Sequence, residues 1–216
     1  MANRNMELES PLEIMRLFHR ALNAGGDQAE QLIHDSDTGD SLQRFTLAFN
    51  SWAMALIYHA DLEYKYLSAA LANSSPPGRA EATPRAGGSA VFSEKETTAI
   101  VAMEGEMHGE LVEMVERVLA VLNEEIGRTS LITRTKQHLH RQVLALRLAQ
   151  EDHLETVEAV TLPILRGRLS EQQQMEMAKG LILDGEAQDP RWIIEWMAPR
   201  LDTAEQALLA GLEAHL

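Results

Sequence analysis

Four of the eight histidines in this chain, His19, His59, His108 and His153, fall on apolar helical stripes. Three of the four have a carboxylate four or five residues away: His59-x3-Glu63, Glu104-x3-His108 and His153-x4-Glu158. Residues four apart stand one above the other on a helix face, so both members of such a pair can reach one ion. A carboxylate on a buried line must be paired or bound to a metal, because an isolated buried charge is costly. The chain has no cysteine. Any metal would therefore be held by imidazole nitrogens and carboxylate oxygens, a donor set that suits iron, manganese or zinc. A single histidine on an apolar face is usually a satisfied core residue, and His19 alone would be read that way. The recurrence, one histidine per long helix, is what points to a metal centre.

The helices that must position these residues can be read from the pattern. The organising stretch runs from about Ser41 to Ala72, with Phe45, Phe49, Trp52, Leu56, His59 and Glu63 at steps of four and three. That is the seam of a helix in a bundle. Before it, Ser10-Pro11-Leu12-Glu13 forms a start signal with a capping box. Leu12, Met15, His19 and Leu22 then share a face, and Gly25-Gly26 predicts the end of that helix. Residues 73–92 are rich in Pro, Gly, Ser and Ala and predict a flexible linker. A third helix is expected from Ser93 to Gly127, with Val101, Glu104, His108, Leu111, Val115, Val118 and Leu122 as its stripe. A fourth is expected from Thr129 or Ser130 to Leu162, short of Pro163. Its stripe is Leu139, Val143, Leu146, Gln150, His153, Val157, Val160 and Ile164.

In an antiparallel bundle, residues at one depth lie equally far from the turn that joins their helices. Glu63 lies 9 residues before Ala72 and Glu104 lies 11 after Ser93, a difference of ~3 Å at the helical rise. His108 lies 19 residues before Gly127 and His153 lies 23 after Ser130, a mismatch of ~6 Å that helix-end uncertainty largely absorbs. The three pairs can therefore share one layer, with His19 supplying a fourth wall. His34, His138, His140 and His215 read as solvent-facing or terminal. His138 and His140 stand too far along their helix to join the layer.

The totals fit this reading. The 216 residues are 45% apolar, enough for a sizeable core, and rich in Ala, Leu, Glu, Gln, Met and Arg, which favours an all-α fold. A net charge of −14 argues against nucleic acid and anionic membrane as partners. No basic-then-apolar leader and no membrane-length apolar run are evident, so a cytoplasmic location is the default expectation. Ser170, Asp189-Pro190 and Asp202 predict shorter helices in a C-terminal extension over 169–216, packed on the bundle and carrying Trp192 and Trp196.

The ordered set His19, His59-x3-Glu63, His108 and His153-x4-Glu158, closed by an acid followed by Leu162-Pro163, resembles the hemerythrin-like proteins, the HHE cation-binding domain family. The resemblance spans residues 10 to about 166. It implies an antiparallel four-helix bundle over 1–168. It also implies a non-haem di-iron centre held by His19, His59, Glu63, Glu104, His108, His153 and Glu158, with manganese or zinc as second choices for the metal. The implied ligands are dioxygen, nitric oxide or peroxide, or the site senses iron or redox state. Oxygen-carrying members have a second histidine where this chain has Glu104. That change makes the site more anionic and points from reversible oxygen carriage toward a redox or sensing role.

A different class of function remains open at this stage. The chain could be a metal-free helical interaction module that docks a protein partner or a second copy through its tryptophan-bearing C-terminal helices. A mononuclear zinc hydrolase is the third option. It fits less well, because such sites usually have three protein ligands and an open position.

Overall fold

The computed structural model describes residues 10–35, 39–72, 94–124 and 133–214. Among them every secondary-structure element is helical, and no helix is long and apolar enough to cross a membrane. The expected linker 73–92, the helix ends at Ser93, Gly127, Thr129 and Ser130, and His215 lie outside the described residues.

The chain enters through Ser10, whose Oγ accepts a hydrogen bond from the Leu12 amide at 3.2 Å. Pro11–Glu13 is a single 3-10 turn, followed by α1 (Ile14–His34). Glu13 does not complete a capping box. Its carboxylate is drawn instead to the guanidinium groups of Arg16 and Arg166.

Gly25-Gly26 does not end α1, which continues for two more turns. The reason lies in packing. A β-carbon at Gly25 would stand 3.1 Å from Trp52 Cδ1 and 3.2 Å from Trp196 Cζ2, and one at Gly26 would stand 3.1 Å from both Arg147 Cγ and Trp52 Cζ2. The glycines let two indole rings close onto the helix backbone.

α2 (Gly39–Ala72) carries the long seam, and Phe45, Phe49, Trp52, Leu56, His59 and Glu63 are all buried. α3 (Glu94–Glu124) and α4 (Thr133–Thr156) follow. α1 packs against both α2 and α4, and α3 also packs against both, so the four long helices enclose a common core.

The fourth helix does not stop short of Pro163. Its turns widen to a π-segment over Val157–Thr161, closed by a bond from the Leu162 amide to the Val157 carbonyl. It then continues as α5 (Leu162–Arg168), with Pro163 just after the widened turn, which accommodates the proline ring and its missing N–H. The widened turn absorbs one extra residue, so the stripe shifts along by one. Thr161 is fully buried in the place an unbroken α-helix would give Val160, which is only half-buried.

α6 (Glu171–Ile182) begins with a capping box between Ser170 and Gln173, and α8 (Thr203–Glu213) with one between Asp202 and Glu205. Between them lies α7 (Trp192–Met197). α6 crosses α1 and α2, while α7 and α8 lie against α1. α1 is thus covered on a second side. That explains why Ile14, Leu17, Phe18 and Ala21 are buried beside the expected stripe. Arg20 on α1 is paired with the buried Glu205 of α8, which fixes this cover to the helix that carries His19.

Both C-terminal tryptophans are engaged internally. Trp196 packs on Phe18 with ring centroids 6.2 Å apart. Trp192 meets Tyr58 at 5.3 Å and donates to Asp184 Oδ2 at 3.0 Å.

Candidate metal centre

The seams of α1, α2, α3 and α4 bring four imidazoles together in two facing pairs. His19 Nε2 and His59 Nε2 are 3.1 Å apart, and so are His108 Nε2 and His153 Nε2. Between the pairs sits Glu63. Its Oε2 is 3.3 Å from His153 Nε2 and 3.6 Å from both His59 Nε2 and His108 Nε2. None of these contacts has hydrogen-bond geometry, so both carboxylate oxygens of Glu63 are buried without a donor.

Glu63, Glu104, His108 and His153 form a buried group whose ligand atoms all lie within 4.8 Å of one another, and this group could hold a metal ion. His19 and His59 adjoin it through Glu63.

Two carboxylates stand behind the rings. Glu104 Oε2 is 3.4 Å from His153 Nδ1, and Glu104 Oε1 accepts a 2.6 Å hydrogen bond from Thr161 Oγ1. The sequence pattern does not reveal Thr161, because only the π-turn rotates it into the core.

Glu158, expected among the ligands, is not brought into the buried group. Its Oε1 accepts from His19 Nδ1 at 2.8 Å, on the outer edge of that ring, and its other oxygen lies 3.7 Å from Arg16 Nε. Its side chain is 37% exposed. A carboxylate at the rim keeps part of its hydration and finds positive partners there, whereas one in the core would have neither. In this position it favours the His19 tautomer with the proton on Nδ1, so that Nε2 faces inward as an acceptor toward His59 Nε2.

The remaining histidines lie elsewhere. His34 is in the last turn of α1, paired with Asp35 at 2.9 Å. His140 faces His34 at 5.8 Å, and His138 is exposed.

Electrostatics separate the rings by role. Burial and the neighbouring His19 hold His59 well below the ordinary imidazole range, so it is a neutral ring with lone-pair nitrogen to offer. Burial also opposes charge on His153, but Glu63 and Glu104 outweigh it and raise its pKa. Burial opposes charge on Glu63 too, and there the facing imidazoles of His108, His153 and His59 prevail and hold the carboxyl well below its usual range. Burial and the Glu63 charge push Glu104 up. The centre therefore has a strong preference for positive charge between Glu63 and Glu104. A proton on His153 meets that need partly, and a divalent cation would meet it more fully.

Neither a family model, nor a curated protein, nor a solved structure matches this chain.

Proposed function

We propose that the chain is a non-haem di-iron protein of the hemerythrin-like type, with α1–α4 as an antiparallel four-helix bundle and the centre at its core. The observation that carries this reading is the pair of 3.1 Å Nε2–Nε2 contacts set around a carboxylate with two donorless oxygens. Two nitrogens bound at about 2.1 Å and at right angles on one ion stand about 3.0 Å apart. The observed spacing fits two ligands on one metal, and is also that of an N–H···N hydrogen bond between neutral rings. It occurs twice, with Glu63 between.

His19, His59, Glu63, His108 and His153 would hold the metal. Glu104 adds negative charge and braces His153. Glu158 holds His19 from outside. The fit rests on donor chemistry and on the orphaned oxygens of Glu63, since a buried carboxylate calls for compensating positive charge. When bound, iron supplies a redox change and an open position for dioxygen, nitric oxide or peroxide. The protein's part is to orient the imidazoles, hold the Glu63 carboxylate ionised and keep water from the site with its apolar seams. The added carboxylate at Glu104 favours the more positive metal state, which suits peroxide or nitric oxide chemistry, or redox sensing, over reversible oxygen carriage.

Trp192 and Trp196 are engaged with Tyr58, Asp184 and Phe18, which weighs against a metal-free docking module that presents them to a partner.

The test is metal content and the visible spectrum of the protein after anaerobic addition of ferrous iron. About two irons per chain are expected, as in other dinuclear carboxylate bundles, with a thermal transition that rises on loading. Failure to bind any divalent metal would overturn the reading.

A further inference from the structure

The buried centre is sealed unevenly. His59, Glu63 and Glu104 are 0% exposed and His153 1%, whereas His108 is 8% exposed. The ring beside that opening is Tyr64, itself 45% exposed, standing 6.5 Å from His108 at 77°. On α3, Gly105 and Gly109 flank His108.

Packing demands neither glycine. A β-carbon at Gly105 would meet only Tyr64 Cε2, at an ordinary 3.5 Å, and one at Gly109 would meet nothing within 4 Å. This contrasts with Gly25 and Gly26, which the indole rings require. A glycine inside a helix is less favourable than alanine. Gly105, about one turn before His108 and against Tyr64, keeps the wall low beside that ring, whereas Gly109 has no neighbour within reach. Directly behind His108 lie the donorless oxygens of Glu63.

We infer that the seam between α2 and α3 at Tyr64, Gly105 and His108 is the entry route to the centre, and that Tyr64 gates it for small ligands of two or three atoms. The purpose of the route rests on the metal reading, but its geometry does not, so the two can be tested separately.

The first measurement uses the metal-free full chain and diethyl pyrocarbonate, with the modification of each histidine followed by peptide mass spectrometry. His108 should react faster than His59 and His153, with exposed His138 as internal reference. Tyr64→Ala should accelerate His108 severalfold, Tyr64→Phe should leave it unchanged, and Gly105→Leu should slow it. The rate at His138 should not move in any variant. An unchanged His108 rate in Tyr64→Ala, or His59 and His153 reacting as fast as His108, would overturn the route. The second measurement is the rate of azide binding to iron-loaded protein at equal iron content, which should follow the same order. If the diethyl pyrocarbonate order holds but iron does not bind, the route stands and the metal reading falls. If iron binds and azide enters at one rate in all variants, the gate falls and the metal reading stands.

Discussion

Trp52 and His59 stand two turns apart on the same buried stripe of α2, and Gln150 and His153 stand one turn apart on α4. Around the first of each pair, polar groups are matched. Trp52 Nε1 donates to Gln150 Oε1 at 2.7 Å, and Gln150 Nε2 donates to Asn23 Oδ1 at 2.9 Å. Around the second, Glu63 Oε1 and Oε2, Glu104 Oε2, His59 Nδ1 and His153 Nδ1 have no hydrogen-bond partner. One core thus contains a closed polar network and, a turn or two further along, an open one. The open region gathers carboxylates and imidazoles that could hold a cation.

The sharpest way to break this contrast is to remove Glu63. With Glu63→Leu, the rise in stability on adding ferrous iron should vanish. That loss is about 4 kcal/mol when free metal is a thousandfold above its dissociation constant. The metal-free variant should also be less stable than the parent near pH 7, because the facing imidazoles hold the Glu63 carboxyl well below its usual range and that stabilisation goes with it. Urea unfolding with and without metal reads both quantities. Retention of the full iron-dependent rise would mean that the carboxylate is a structural partner only, and the two regions would be alike.

Gln150→Leu probes the closed region and should behave oppositely. It leaves the buried Trp52 N–H without a partner, at a cost of about 2 kcal/mol. Iron content should stay at the parent value. Loss of iron in this variant would show that the two regions act as one network.

Thr161→Val lies between these extremes. It preserves shape and removes the donor to Glu104 Oε1. Stability should fall by about 1 kcal/mol. Metal affinity should fall about tenfold, the scale of losing a group that orients a ligand. Competition with a chelator measures the second effect, and equal affinity would make Thr161 a mere packing residue.

What could be read from sequence, and what could not, follows the same physical division. The α2 seam is legible because burial of a helix face repeats at steps of three and four, and each of its six residues is buried. The shared depth of Glu63, Glu104, His108 and His153 is legible because helical rise converts residue number into distance. Gly25-Gly26 misleads because a glycine pair has a strong local meaning, while the indoles that require it come from residues 52 and 196. Pro163 misleads in the same way, since a π-turn carries the helix past it and brings in Thr161. Spacing places Glu158 near His153 but does not say which group its carboxylate meets. That choice is made by His19 and Arg16 on another helix.

Glu158 also supplies the smallest expected effect, through pH. The hydrogen bond from His19 comes first among the influences that hold its carboxyl below the ordinary value of 4.5, with burial opposing and the charges of His19, Arg16 and Arg20 assisting. A carboxyl depressed on folding adds stability above its unfolded pKa and loses it as the pH falls toward the folded value. In Glu158→Gln the amide oxygen can still accept from His19 Nδ1, so only the charge is lost. The parent should therefore exceed the variant by less than about 1 kcal/mol near pH 7, since partly exposed pairs are screened. The gap should close as the pH drops through and below 4.5. Unfolding free energies of both proteins across that window test the sign. A gap that widens on acidification would mean that the Glu158 carboxylate is not stabilised by folding. The outer edge of His19 would then be as open as the inner oxygens of Glu63, and the division between a braced rim and an unbraced centre would fail.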